Sequence, residues 1–283
     1  MAAFYNQASL TYKGGTVLSN VASGEILEIL SVTKTAVGGE YASGGELTYV
    51  INLVNSGASP LSDLTLTDDL GSYTFGTMTL VPLGYIDGTA SYFVNGVPQA
   101  APDVTEQNPL TITGISVPAG GNAAVVYSVN ANEYAPPEQG GEIVNTVTVS
   151  GGGVTPVSAS ATVTASEGPV LEMLKSVSPE VVSDNGSLTY TFTIQNFGAA
   201  EAGTEAGIVL NDTFDPLLSN LAVTYNGAAW TADTDYSYDP ATGVFTTTQG
   251  EITVPAATFT QNAETGVWTA VPGEATVTVS GSV

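Results

Sequence analysis

Residues 145–175 read NTVTVSGGGVTPVSASATVTASEGPVLEMLK, and residues 6–34 repeat the pattern as NQASLTYKGGTVLSNVASGEILEILSVTK. Each copy opens on Asn with a short alternating run, crosses a glycine turn and returns as a second run. Each then passes a Ser/Glu/Gly hinge and enters an apolar strand that closes on lysine. Alternation of apolar and polar residues marks a half-buried β-strand, and a Gly-Gly pair between two such runs marks a hairpin. The middle copy ends one domain and begins the next. The first copy has no earlier domain in this sequence to end, and a lone two-stranded hairpin is marginal in water. Residues 1–24 are therefore expected to form a hairpin and hinge that dock elsewhere.

The rest of the chain is organised around these two copies. Its 283 residues suffice for two domains, each of roughly 100–150 residues with its own core. Short alternating runs bounded by Gly, Pro, Asn and Asp fill the chain and helix-periodic runs are missing, which predicts an all-β protein of antiparallel sandwiches. Domain 1 is read over residues 25–166. Its strands are ILEILSVTKTAV, ELTYVINLVNSG, LSDLTLTDDLG, TMTLVP, ASYFVNG, LTITGISVPAGG, NAAVVYSVNANEY, EIVNTVTVSGG and VSASATVTAS.

Domain 2, residues 167–283, repeats the plan. Leu188-Thr189-Tyr190 follows Lys175 at the same interval as Leu47-Thr48-Tyr49 follows Lys34, Asn196 matches Asn55, and LNDTF around Asp212 matches LTDDL around Asp68. EITVPAATF is read as one later strand, its EITVPA resembling GISVPA, and VPGEATVTVSGSV resembles VPAGGNAAVVYSVNA. The counterpart of EIVNTVTVSGG and its return is missing, so the second sandwich is expected to lack its last strands.

Composition excludes several functions. There is no cysteine and no histidine, so neither a disulfide framework nor a thiolate or zinc site is available. The only basic side chains are Lys13, Lys34 and Lys175, and the net charge is −24. Binding to nucleic acid or to an anionic membrane needs basic residues, so neither partner is expected. No run reaches the roughly 18 apolar residues of a membrane span. The start, MAAFYNQASL, lacks the basic and apolar regions of a signal peptide. Either a leader has been removed or the protein leaves the cell by another route, such as lysis of a mother cell.

The recurring pattern Lys-[Thr/Ser], Leu-Thr-Tyr, Asn-x-Gly or its equivalent, [Thr/Asn]-Asp-x-[Leu/Phe], then Asn-Thr-x-Thr-Val resembles the bacterial "conserved repeat" surface domains, the domain of unknown function numbered eleven. The resemblance covers nearly the whole chain. It implies Ig-like sandwiches strung along a Gram-positive surface protein and says little about biochemical role.

A donor hairpin at one end and an incomplete sandwich at the other suggest head-to-tail assembly. The N-terminal strand, with Phe4, Tyr5, Asn6, Ala8, Leu10 and Tyr12, would complete domain 2 of the next copy by strand addition. Such a contact is heterologous and gives an open filament unless it closes into a ring. The expected product is a homopolymeric extracellular appendage on a bacterial cell or spore. Two plainer readings are an arm that folds back on its own domain 2 and an arm with no docking role. The alternative function is a monomeric adhesin or stalk fragment that binds a surface ligand.

The lysines carry the candidate chemistry. The plainer reading pairs Lys34 with Asp68 and Lys175 with Asp212 as salt bridges. The resemblance implies a sharper one, the Lys–Asn isopeptide bond of Gram-positive pilin and collagen-adhesin sandwiches. A desolvated lysine becomes a neutral nucleophile, and a protonated carboxyl polarises the Asn carboxamide. The sets are Lys34, Asp68 and Asn145 within domain 1, and Lys175, Asp212 and Asn6 between subunits. Lys13 is expected in a solvated turn.

No turnover enzyme is expected, since there is no Ser-His-Asp set and nothing points to a cleft. No cofactor is expected. The acidic runs at Asp68-Asp69, Asp184 to Gly186 and Asp233 to Asp239 have the oxygen ligands for Ca²⁺ but no recognised loop pattern. Trp230 and Trp268 are expected in core or interface packing.

Overall fold

The computed structural model describes residues 2–283. Among them the only helical element is a single 3-10 turn, Thr204–Ala206, and the rest of the regular structure is β. Two separate clusters of buried side chains form, one over Leu30 to Ala165 and one over Leu188 to Val279.

The first cluster is the inside of an Ig-like sandwich. One sheet runs in the order 97–98, 91–94, 122–131, 46–55, 30–37, and the facing sheet in the order 103–107, 110–117, 61–68, 142–151, 157–165, 40–41. Alternation places every second residue inside. On Glu46–Asn55 these are Leu47, Tyr49, Ile51 and Leu53, and on Glu142–Gly151 they are Ile143, Asn145, Val147 and Val149. Three strands position the site. We call Leu30–Val37 the lysine strand, Leu61–Asp68 the aspartate strand and Glu142–Gly151 the asparagine strand. The asparagine strand pairs antiparallel with the aspartate strand, Val147 opposite Asp68. Its return, Val157–Ala165, lies alongside the lysine strand and seals it.

The second core repeats this plan in part. A five-stranded sheet, ordered 171–178, 187–196, 273–282, 219–225, 228–229, faces a three-stranded one ordered 211–213, 244–247, 236–238. Phe214 stands between them, stacked on Tyr190 at 5.0 Å and tilted against Phe245 at 5.7 Å. The repeat extends to buried polar detail. Asn55 and Asn196 each donate through Nδ2 to the carbonyl four residues ahead, Ser59 at 2.8 Å and Ala200 at 2.7 Å. Each Oδ1 accepts the amide two residues ahead, from Gly57 and Gly198, at 2.9 Å.

The two cores differ at the lysine end. Asn211–Thr213, the counterpart of the aspartate strand, pairs with Val244–Thr247, as the aspartate strand pairs with 110–117. On its other edge, where the aspartate strand meets the asparagine strand, it has no strand partner among the described residues. Leu171–Ser178 is correspondingly exposed along nearly its whole length, whereas the lysine strand is sealed at Leu30 and Lys34.

Residues 2–26 form the hairpin, turning at Lys13-Gly14, with Lys13 exposed. Ala2–Asn6 pairs with Ala22–Ile26, and Ser9–Tyr12 with Gly15–Leu18. Between the two ladders Ser19 donates its backbone N–H to the Ala8 carbonyl and accepts the Ala8 N–H on Oγ, both at 2.9 Å. The hairpin strands pair only with each other among the described residues. Residues 22–24, read from sequence as a hinge, are instead paired strand, and the link to the sandwich is 27–29. The cause is Gly24, which lies opposite Phe4 and leaves room for its ring where a Cβ would clash.

A second difference lies at the junction of the cores. EITVPAATF is not one strand: Val254 makes an isolated bridge to Ala202, and Thr258–Gln261 pairs with Trp268–Val271 in a separate hairpin. That hairpin reaches the first sandwich. Trp268 donates its backbone N–H to the Glu133 carbonyl at 2.9 Å, and Gln261 Nε2 donates to the Tyr73 hydroxyl at 2.9 Å.

Candidate functional site

Lys34 occupies an inward position of the lysine strand, opposite Ile51. Its Nζ lies 2.5 Å from Asp68 Oδ2, and the two side chains are 0% and 2% exposed. The same Nζ stands over the Tyr49 ring, 4.7 Å from its centre. Asp68 Oδ2 also accepts the Tyr127 hydroxyl at 2.5 Å, while Oδ1 accepts the Leu70 amide at 3.0 Å. Tyr127 is opposite Tyr49 across adjacent strands, and their rings stack at 5.9 Å.

Asn145 lies two residues before Val147, the residue opposite Asp68, on the same inward face. It is completely buried, and its carboxamide stands against the phenols of Tyr49 and Tyr127. Among the described residues neither Nδ2 nor Oδ1 has a hydrogen-bond partner, and the Tyr49 hydroxyl lacks one as well. Buried polar groups are nearly always paired, and a buried amide without partners costs about 1–3 kcal/mol. Asn55 and Asn196, equally buried, saturate their amides with backbone partners. Asn145 is the buried asparagine that packing alone does not account for.

Burial works against the charged form of Lys34. Burial lowers the Lys34 ammonium below the usual lysine range, against the opposing pull of Asp68 and, more weakly, Asp69. Burial pushes the Tyr127 phenol well above its ordinary value, with the adjacent Asp68 charge adding to it. Tyr49 rises to about 12 by burial, moderated by Asn145. A lysine held as the neutral amine is a nucleophile.

In the second core Lys175 pairs with Asp212, but the side chains are 40% and 18% exposed. Lys175 Nζ sits 4.6 Å from the centre of the Tyr190 ring and 5.6 Å from that of Phe214. Beside it a groove of about 380 Å³ runs between Leu171, Met173 and Ile194 on one side and Ile208, Leu210 and Asn211 on the other. Asn6 is on the exposed hairpin, opposite Ala22 as Asn145 is opposite Ala161. Phe4, Tyr5, Leu10 and Tyr12 of that hairpin are exposed, as is Ala8.

The fold therefore joins Lys34 to Asp68 and sets Asn145 against the same two phenols, and it joins Lys175 to Asp212. Asn6 lies apart on the hairpin. Sequence reasoning gave Tyr49 and Tyr127 no role. The signal present was the Leu-Thr-Tyr triplet at equal spacing from both lysines.

The acidic runs use their oxygens locally. Asp235 Oδ2 accepts the Thr231 amide at 2.6 Å. Asp239 accepts Ala241 N–H at 2.9 Å and the Thr242 hydroxyl at 2.8 Å, which holds its carboxyl below the usual range. No group of three or more acidic side chains is arranged to hold a metal among the described residues. Trp230 stacks on Tyr225 at 5.2 Å, and Trp268 lies at the junction of the cores.

No family model and no curated protein matches the chain, so the conserved-repeat resemblance rests on the quoted residues alone. Among solved structures, a variant of BcpA, the major pilin subunit of Bacillus cereus, is 13% identical with a TM-score of 0.39, covering 96% of this chain and 74% of that one. The pilus backbone protein RrgB of Streptococcus pneumoniae is 12% identical with a TM-score of 0.35, covering 86% and 55%. The major pilin SpaD of Corynebacterium diphtheriae is 14% identical with a TM-score of 0.35, covering 86% and 59%. Likenesses this distant carry no functional weight, which leaves function to the geometry.

Proposed function

We propose that this chain is a structural subunit of an extracellular filament on a bacterial cell or spore surface, assembled head to tail by strand donation. Residues 2–26 of one copy add to the bare edge of Asn211–Thr213 in the next. The observation that carries this reading is the pairing of an exposed hairpin with an unpaired edge of the same design. In the first sandwich that position is filled by the asparagine strand and its return, which the hairpin repeats in sequence. Setting Asn6 where Asn145 stands puts Ala8 opposite Asp212, as Val147 is opposite Asp68. Phe4, Asn6, Ala8, Leu10 and Tyr12 then share the inward face. Backbone hydrogen bonds supply affinity and alternate side chains supply register. The contact covers an edge that would otherwise invite indiscriminate pairing.

The same register brings Asn6 to Lys175 and Asp212 at each joint, repeating Lys34, Asp68 and Asn145. In each set the neutral lysine Nζ attacks the asparagine Cγ while the aspartic acid gives its proton to the developing oxyanion. The intermediate then collapses: the oxygen returns its proton to the aspartate, the Cγ–Nδ2 bond breaks, Nδ2 leaves as ammonia carrying the one proton shed by Nζ, and an amide remains. Nothing is oxidised or reduced. The bond at Lys34 would cross-link one chain internally, and the bond at Lys175 would join neighbours.

The test is a denaturing gel of detergent-boiled protein beside Asn6→Ala, with microscopy of the unboiled samples. The expected result is a ladder that collapses to monomer in the variant. Monomer in both lanes removes the covalent joint, and the absence of filaments in unboiled wild type removes strand donation.

A further inference from the structure

We propose that the Tyr49 phenol is a second oxyanion donor, beside the Asp68 acid, for bond formation at Lys34, and that Tyr190 has the same role beside Asp212 at Lys175. This rests on the isopeptide reading of the two lysine sites. Attack of an amine on an amide concentrates negative charge on the carboxamide oxygen, and this oxygen is buried away from bulk solvent. A preorganised donor must be built into the protein.

Three groups near Asn145 can donate: Asp68 once protonated, Tyr127 and Tyr49. Tyr127 already spends its proton on Asp68 Oδ2 at 2.5 Å. Tyr49 does not, because its hydroxyl is buried and has no partner. It is an unused donor against the Asn145 carboxamide, whose Oδ1 is also without a partner among the described residues. In the unreacted state this mismatch is a penalty. It is relieved when Cγ becomes tetrahedral and Oδ1 gains charge, so the interaction is worth more in the transition state than in the ground state.

The second core distinguishes the two phenols. Tyr127 lies opposite Tyr49, whereas the residue opposite Tyr190 is Val279. The tyrosine common to both lysine sites is thus Tyr49 or its counterpart. Its ring holds the amine the same way in each, at 4.7 Å from Lys34 and 4.6 Å from Lys175. A core tyrosine kept for packing alone would not need its hydroxyl, which here makes no bond.

The experiment uses the full chain with Asn6→Ala, so that only the Lys34 site can react. Protein is purified in denaturant after short induction and diluted to fold. Loss of one ammonia is followed by intact mass for that chain and for added Tyr49→Phe or Tyr127→Phe. Removing a main oxyanion donor slows comparable reactions by roughly 10²–10³-fold. A slowing of that size in Tyr49→Phe supports the assignment, provided its urea midpoint in an unreactive Asn145→Val background is not lowered. Equal rates in Tyr49→Phe and the parent overturn it while leaving the bond intact. A parent chain that never loses ammonia overturns the bond reading itself. Tyr127→Phe, which keeps the ring stack, reports whether loss of the Asp68 partner alone has the same effect. If it slows the reaction and Tyr49→Phe does not, the role passes to Tyr127 and the proposal fails.

Discussion

Lys34 Nζ lies 2.5 Å from Asp68 Oδ2 inside the first sandwich, with both side chains closed to solvent. The second core holds the same pair, Lys175 with Asp212, in the open. What separates them is a cover: the asparagine strand and its return lie over the first pair and over no part of the second among the described residues. A buried ion pair is weak evidence for stability, because desolvation offsets much of the attraction. Chemistry at the neighbouring Asn145 amide and plain packing are the two explanations for its presence.

Asn145→Val separates those explanations by sign. If the carboxamide stays unreacted, a shorter apolar side chain removes an unpartnered buried amide and should stabilise the fold by about 1–3 kcal/mol. If it is cross-linked to Lys34, the variant loses a link closing a loop of about 110 residues, worth roughly 4–5 kcal/mol by analogy with a disulfide. We expect the second outcome, a net loss of about 1–4 kcal/mol, read from urea midpoints of the first core. A raised midpoint would exclude the bond.

The pH dependence of that unreacted variant follows from two opposite shifts. The Lys34 pKa is lowered on folding, so its stabilising contribution is fully present above the unfolded value of 10.5 and is lost as pH falls through the folded value. Tyr49, raised from 10.0 to about 12, acts in the other sense: its contribution holds below 10.0 and is lost as pH rises towards 12. Tyr127 adds to the falling limb. Stability of Asn145→Val should therefore climb towards pH 10 and fall beyond it. Adding Lys34→Met should abolish the climb and keep the fall. An unchanged climb after Lys34→Met would assign it to other groups.

Much of this arrangement is legible in the sequence because it is periodic. Alternation gives the faces of the strands at 46–55 and 142–151, and the recurrence of Lys, Leu-Thr-Tyr, Asn and Asp gives the two-core plan. Contacts between residues distant in the chain are not legible in the same way. That Tyr127 reaches Asp68, and that Tyr49 is left without an acceptor, depends on side-chain reach across the gap between two sheets. Alternation marks both tyrosines as inward and says nothing more. The hairpin at 258–271 is not legible either, because its four-residue strands are short and exposed, and periodicity needs length. The paired state of residues 22–24 turns on one glycine opposite one phenylalanine, which composition reads as a hinge.

The proposed strand addition would make the two faces of residues 4–12 unequal. Leu10 falls on the inward face with Asn6 and Ala8, and Thr11 on the outer face, where Thr11 Oγ1 meets Thr16 Oγ1 at 3.0 Å. The asparagine strand carries the same outer ladder at Thr148 and Ser158, 2.9 Å apart. Leu10→Asp should block polymerisation, since it forfeits about 1.5–3 kcal/mol of apolar burial and buries a charge. Thr11→Asp should leave assembly nearly unchanged. Both residues are exposed in the single chain, so neither change should disturb the cores. Sedimentation of pelletable polymer reads the difference. Equal loss in both variants would mean that the hairpin does not enter a sheet with one buried face.

The hairpin at 258–271 predicts where the assembly is stiff. It ties the second core to the first of the same chain through Gln261 on Tyr73 and Trp268 on Glu133, and the Tyr73 hydroxyl passes its own proton to the Tyr134 carbonyl at 2.8 Å. The corresponding turn of the first sandwich is the short Pro118-Ala119-Gly120-Gly121, which has no length to reach a neighbour. Packed units in one chain move relative to each other unless their contact is extensive. Replacing 258–271 with Gly-Gly should therefore uncover Leu80, against which Gly266 packs, at a cost of about 1.5–3 kcal/mol for one apolar side chain, and broaden the distribution of distances between the cores. Small-angle scattering of the single chain would register that as a wider spread of dimensions. Tyr73→Phe, which removes two hydrogen bonds worth about 0.5–1.5 kcal/mol each, should move in the same direction by a smaller amount. If the deletion leaves the scattering unchanged, the angle between the cores is set by the linker at 166–170, and the hairpin is a passive insertion.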